Sequence, residues 1–246
     1  MDSHRIAFFS DVHGNLEALK AVLADMEEVA VQDKFCLGDI VGYGPDPAKC
    51  LKMIRDIGCP ILLGNHDEGC FALEPDSSFN TYALAALEHA RGQLSDEQKD
   101  FLKTLPMKIE ADGFTVVHAS LCDKKAWSYV LDTGDAICHF EFQRQPVCFC
   151  GHTHKPAVWR EGTNNKVQGL PIVPPFTLDP DVKYLINVGS VGQSRTLNSD
   201  ACYVIYDTLQ RKIEYRFIPY AFKKTQNKII RAGLPRFLAQ RLALGR

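Results

Sequence analysis

The apolar run 5-RIAFFS-10 gives way to 14-GNLEALKAVLADMEEV-29, in which Leu16, Leu19, Val22, Leu23 and Met26 recur at the spacing of one helical face. The order repeats in 34-KFCLGD-39, 46-DPAKCLKMIRDIG-58 and 59-CPILLGNHD-67, read as strand, helix and a strand running into a polar loop. This alternation predicts β-α-β units with right-handed crossovers. Residues 79–105 carry two more helical patterns, the second opened by Ser95 with Gln98 three positions on, a capping box. After 107 the texture changes. Two strands over 107–118 meet at the Asp112-Gly113 turn, and further strands are expected at 147–150, 156–160, 183–188, 202–207 and 212–217, broken by the Pro/Gly-rich stretch 162–181. Without an internal repeat or low-complexity linker, the 246 residues read as one domain, an α/β first half joined to a strand-rich second half.

Composition narrows the class. The chain is 46% hydrophobic and 24% charged with a net charge of -2, which suits a soluble globular protein. No run of eighteen apolar residues is present, and the opening residues lack the apolar stretch and cleavage site of a secretory signal, so no membrane association and a cytoplasmic location are expected. The nine cysteines are scattered, mostly within apolar runs such as 147-VCFC-150, and form no Cys-x-x-Cys pair. They are expected to be reduced, buried thiols and neither a disulfide framework nor a thiolate zinc site. Residues 221–246 hold seven Lys and Arg and no acid, so they carry +7 and leave -9 on the rest. Ile229, Ile230, Leu234, Phe237, Leu238, Leu242 and Leu244 supply this tail with an apolar face, so it is expected to dock as helices on the acidic body and not to form a stable nucleic-acid complex.

Polar residues collect where the expected strands end. Asp11 and His13 follow the first, Asp39 the second, Asn65 and His66 the third, and His118, His152 and His154 follow later ones. In 151-GHTHKP-156 the two histidines stand two apart, a spacing that shares a face in extended chain and diverges on a helix. Ligands of open α/β sheets gather at the carboxyl ends of strands, so these side chains are expected to converge on one rim. Imidazole, carboxylate and amide together suit manganese, iron or zinc. Seven such groups with one carboxylate shared are about the number needed for two ions that keep positions open for water and substrate. Taken singly, each has a plainer reading: Asp39 as a turn acid, Asp67 as a helix cap or a residue orienting His66. His4, His89 and His139 match no block and are expected at the surface or between helices, and Trp127 and Tyr129 in loop packing near the site.

The blocks 10-SDVHGN-15, 38-GD-39, 64-GNHD-67, 116-VVHAS-120 and 151-GHTHKP-156, in that order, followed by 187-NVGSVGQSR-195 and 202-CYVIYD-207, resemble the calcineurin-like metallophosphoesterases in their compact bacterial and archaeal phosphodiesterase branch. The resemblance implies a four-layer αββα sandwich, two central mixed sheets flanked by helices, with the metal site on loops at one sheet edge. It implies two divalent metal ions, one held by Asp11, His13 and His154, the other by Asn65, His118 and His152, with Asp39 bridging and manganese the expected metal. Hydrolysis would follow attack by a metal-bridging hydroxide, with His66 as general acid. Serine/threonine protein phosphatases follow the bridging aspartate with Asp-Arg, whereas 38-GDIVGYGPDP-47 has Gly42 and Tyr43 there, so small phosphodiesters or nucleotide-derived esters are expected as substrates. Arg195 is the candidate replacement cation, with a surface pair to Asp200 as its plainer role, and Ser194 stands where close relatives often have proline. The alternatives are a phosphomonoesterase or protein phosphatase, a dinucleoside polyphosphate hydrolase, a nuclease lacking room for its DNA-binding domain, and a catalytically silent scaffold, which would need neither the ligands nor His66.

Overall fold

In chain order the computed structural model contains β1 (Arg5–Phe9), α1 (Leu16–Glu28), β2 (Asp33–Cys36), α2 (Pro47–Ile57), α3 (Asn65–Gly69), α4 (Thr81–Gln93) and α5 (Asp96–Lys103). There follow β3 (Lys108–Ala111), β4 (Phe114–Val117), α6 (Thr133–Phe142), β5 (Val147–Cys150), β6 (Ala157–Glu161), β7 (Val167–Leu170) and β8 (Phe176–Thr177). The last elements are β9 (Lys183–Asn187), β10 (Ala201–Asp207), β11 (Lys212–Ile218), α7 (Phe222–Arg231) and α8 (Arg236–Leu244). The structure describes residues 4–74, 79–123, 125–172 and 175–246.

The strands make two mixed sheets, one ordered β2-β1-β10-β11-β8 and the other β3-β4-β5-β9-β6-β7. Period-two alternation explains how they stack. Ile6 and Phe8 of β1, Cys202, Val204 and Tyr206 of β10, and Val147 and Phe149 of β5 face one shared core between the sheets. Phe8 lies flat on Phe149 with ring centroids 3.8 Å apart. The intervening residues face outward: Ala7, Phe9, Tyr203 and Ile205 meet Leu19, Val22 and Met26 of α1 and Leu51 and Ile54 of α2. On the far side Cys148 and Cys150 meet Ala136 and Phe140 of α6. Strands β1, β5 and β10 are therefore apolar on both faces, and the four layers expected from the resemblance are those observed.

Several local expectations need correction. Residues 59–67 do not form a strand of either sheet: Ile61 makes a single bridge to Cys36, and Asn65 opens the short helix α3, whose Asp67 carboxylate turns back to accept from Gly64 N. The stretch 162–181 is not merely a break, because β7 pairs with β6 and β8 with β11 inside it, residues 173–174 lying outside the described residues. Helix α6 carried no strong periodicity but is capped by Asp132, which accepts from Gly134 N and Asp135 N. Cys122 and Cys138 are joined as a disulfide with Cα atoms 5.7 Å apart, because α6 packs beside the loop after β4. The other cysteines are free, and all but the half-buried Cys59 are buried, so the thiol reading holds for them.

Helices α7 and α8 lie against α1, α4 and the loop after β2. Ile229, Leu234, Leu238 and Leu242 pack with Ala83, Ala86 and Tyr43. Lys228 bridges Glu17 at 2.6 Å and Asp46 at 2.7 Å. Ile230, Phe237 and Leu244, counted in the apolar face from sequence, are exposed, because the buried stripe of these short helices is narrower than their apolar content.

Candidate metal centre

The carboxyl ends of β1, β2, β4 and β5 open on the same rim, and Asp11, Asp39, His118, His152 and His154 follow them within a few residues, with His13 two residues beyond Asp11. Five of these six have left-handed backbone: φ is 56° at Asp11, 47° at His13, 52° at Asp39, 67° at His152 and 59° at His154. Non-glycine residues resist that region, so its concentration here means that the surrounding contacts overrule local preference. Those contacts are visible. Asn187 donates to Gly151 O at 2.6 Å and to Thr153 Oγ1, fixing the loop of the two histidines. Ser190 Oγ donates to Asp11 O. Asp67 accepts from Ile40 N and Val41 N as well as Gly64 N, so it caps α3 and at the same time ties it to the loop carrying Asp39. Gly64 is required by close approach, since a Cβ there would collide with the Asp39 carboxylate.

Three groups of possible ligand atoms fall within 4.8 Å of one another: Asp11, His13 and His154; Asp39, His118 and His152; and His13, Asp39 and His66. Asp39 Oδ2 lies 3.6 Å from His13 Nε2 and 3.4 Å from His118 Nε2, between the first two groups. His13, His118 and His154 donate from Nδ1 to the carbonyls of Val41, Leu37 and Gln193 at 3.0, 2.8 and 2.7 Å, which turns each Nε2 inward. Asp11 Oδ1, Asn65 Oδ1, His118 Nε2 and His152 Nε2 are buried with no hydrogen-bond partner among the described residues. Buried polar atoms without partners are costly, and four converging from separate stretches of the chain fit a divalent cation of the nitrogen- and oxygen-binding class.

Charge supports the same fit. Burial lowers the pKa of His13 and His152, and likewise His154, where Arg195 adds to the effect, so these imidazoles stand neutral and able to donate electron pairs. His118 differs: burial pushes it down, but Asp39 more than compensates and holds it up. Asp39 is pushed up by burial and drawn down further by His118, staying ionised. The buried pair exchanges a proton for a cation if one binds, since ligation requires the neutral ring.

His66 is buried beside the cluster, its ring 4.7 Å from His13, 4.5 Å from Tyr43 and 4.9 Å from Phe79. Its Nδ1 has no partner among the described residues, and a Cβ at Gly42 would come within 2.5 Å of it. Above lies a cavity of about 540 Å³ lined by Asn65, His66 and His152 at its floor and by Tyr43, Phe79, Trp127, Tyr129, Arg195 and Arg241 at its walls. Tyr129 stacks on His152 at 4.1 Å, and Trp127 Nε1 donates to Glu68. Asp200 bonds Asn198, and no ion pair with Arg195 is formed. The sequence marked Tyr43 after Asp39 and Arg241 in the basic tail, but neither as part of the cavity wall. Arg241 comes from the tail, which no motif links to the rim, although an arginine on the buried side of a docked helix was a signal available there. His139 is fully buried and accepts from Leu121 N, correcting its expected exposed or interhelical place, while His4 is exposed against Asp33 and His89 donates to Pro45 O.

Comparison with known proteins identifies the family and the fold. Residues 5–211 match the model of the calcineurin-like phosphoesterase superfamily domain. An uncharacterized protein of Methanocaldococcus jannaschii is 40% identical over 246 residues, covering 98% of each chain. The crystal structure of a metallophosphoesterase from Sphaerobacter thermophilus superposes with a TM-score of 0.87 at 34% identity, covering all of both chains. A symmetrical bis(5'-nucleosyl)-tetraphosphatase of Pectobacterium atrosepticum is 45% identical over 116 residues, 45% of this chain and 41% of that protein. The chain therefore belongs to the calcineurin-like phosphoesterase superfamily.

Proposed function

We propose that this chain is a di-metal phosphoesterase that hydrolyses small phosphodiesters or nucleotide-derived esters. The observation that carries the reading is the set of unpartnered ligand atoms, Asp11 Oδ1, Asn65 Oδ1, His118 Nε2 and His152 Nε2, gathered beneath a substrate-sized cavity. Asp11, His13 and His154 would hold one ion and Asn65, His118 and His152 the other, with Asp39 lying between the two groups. Manganese is the expected metal, with iron and zinc suited to the same donors. When bound, such ions supply a strong nucleophile near neutral pH and neutralise the phosphoryl oxygens.

The protein's own groups do the remainder. The carbonyls of Val41, Leu37 and Gln193 hold the imidazoles in register. His66, on the cavity floor, delivers a proton to the departing oxygen. Burial lowers its pKa to about 4, so the ring takes up its proton from solvent as the substrate binds, the substrate's negative charge favouring the imidazolium. Tyr129 stacks on His152 and Trp127 packs edge-on against His118, so the wall is aromatic next to the proposed ligands. Gly42 and Tyr43 leave no arginine in the segment after Asp39 to grip a dianionic monoester, Arg195 and Arg241 standing instead on the cavity wall, and the aromatic walls suit the flanking groups of a diester. The named activity of the Pectobacterium relative, on a nucleotide-derived substrate, points the same way. The test compares kcat/KM for bis-p-nitrophenyl phosphate and p-nitrophenyl phosphate at equal metal loading. A diester advantage of about tenfold or more is expected from the missing clamp, and a clear monoester preference would refute the substrate class.

A further inference from the structure

The cavity above the proposed centre is walled on one side by two arginines from segments far apart in the chain. Arg195 stands in the loop after β9, and Arg241 on α8, outside the residues 5–211 matched by the family model. Neither forms an ion pair with an Asp or Glu among the described residues, and Arg195 Nε is buried without a hydrogen-bond partner. Arg241 is held in place: its guanidinium lies 5.5 Å from the Tyr43 ring and 5.5 Å from the Phe237 ring, and its Nε donates to the main-chain oxygen of Arg246. Phe237 in turn stacks on Tyr82 of α4. Burial, and then the neighbouring Arg195, lower the pKa of Arg241, the mark of two like charges sharing a partly dry space. Two positive charges side by side on one cavity wall, one of them with a buried N–H left without a partner, repel each other unless an anionic occupant lies against both. The reacting phosphoryl group would already be neutralised by the proposed ions, so the arginines have charge to spare for another anion.

We infer that Arg195 and Arg241 form a second anion subsite, which takes a phosphoryl group flanking the scissile one and selects nucleotide-derived esters with two or more phosphoryl groups. The inference rests on the phosphoesterase reading above for its scissile group, but the subsite itself can be probed without turnover. Full-length protein loaded with manganese is titrated calorimetrically with AMP and with the non-hydrolysable methylene analogue of ADP, called ADP below, which differ by one phosphoryl group. ADP is expected to bind about 10–100-fold more tightly, the effect of charge-assisted contacts to the added group. Arg241→Ala and Arg195→Ala should each remove most of that difference. Arg241→Lys, which keeps the charge and the aliphatic stem, should retain part of it, and it decides the matter if Arg241→Ala undocks α8. Equal affinity for ADP and AMP, or an ADP preference that survives both Arg241 variants and Arg195→Ala, overturns the subsite. If the arginine-dependent ADP preference appears but the metal-loaded protein hydrolyses no ester, the subsite stands and the phosphoesterase reading fails. If bis-p-nitrophenyl phosphate is hydrolysed without such a preference, the reverse holds.

Discussion

Asp39 Oδ1 accepts from His66 N at 2.8 Å while Oδ2 faces His13 and His118, so one carboxylate meets both ligand groups and anchors the start of α3. Asp39→Asn should therefore damage both halves of the proposed centre. Since even residues behind a metal ligand cost about 10–100-fold when changed, turnover should fall by at least that much, with bound metal dropping below half of the wild-type content. Elemental analysis beside steady-state kinetics checks this, and normal metal content with normal turnover would remove Asp39 from the bridging position. His66 poses a sharper question, because its nitrogen also lies at ligand spacing from His13 and Asp39. As an acid it should be dispensable for metal binding. His66→Ala is expected to keep its metal yet lose about 10²–10⁴-fold in kcat for esters with poor leaving groups, and less for nitrophenyl esters. Loss of metal in that variant would make His66 a ligand instead. The identities of the clustered residues were legible in the sequence because each follows an apolar run. Their left-handed backbone was not legible, since long-range contacts such as Asn187 to Gly151 impose it on residues that disfavour it.

At the level of elements, the alternation of period 3.6 and period 2 marked α1, α2, α4, α5 and most strands, and β1-α1-β2 came out as a parallel unit. What periodicity does not carry is partner choice. Strand β1 pairs antiparallel with β10, Ile6 opposite Tyr206, across most of the chain. Short β8, only Phe176 and Thr177, is held by β11 and owes little to its own propensity. Helix α3 was obscured for a related reason: 59-CPILL-63 looks like a strand, yet the helix that follows is set by the Asp67 carboxylate and by Asp39 accepting from His66 N. The tail helices make a quantitative case. Ile229 is 1% exposed and is surrounded by Leu234, Leu238 and Tyr43. Ile229→Ala should cost about 2–4 kcal/mol in a denaturant titration with an unchanged slope, the usual result of a buried cavity. A cost below about 1 kcal/mol would mean that α7 and α8 are not part of the cooperatively folded body.

For the molecule as a whole, the layered body brings strand ends distant in sequence to one rim, and the basic tail lies over the acidic remainder through Lys228, Glu17 and Asp46. Burying the Asp39–His118 pair, several neutral imidazoles and unpartnered oxygens in one place is destabilising for a protein that only has to fold, so the arrangement calls for occupants. Among the described residues no helix is long and apolar enough to cross a membrane. The architecture was legible as a class because ordered blocks carried the family resemblance. The cavity was not, since its walls join Phe79, Tyr129, Arg195 and Arg241 from four separate stretches. The account depends on that cavity sitting over a two-ion hydrolytic centre. Protein stripped with a chelator is titrated with manganese while hydrolysis of bis-p-nitrophenyl phosphate is followed. No turnover is expected from stripped protein, with activity rising to a plateau at about two equivalents of metal per chain; full turnover by the stripped protein would contradict the account.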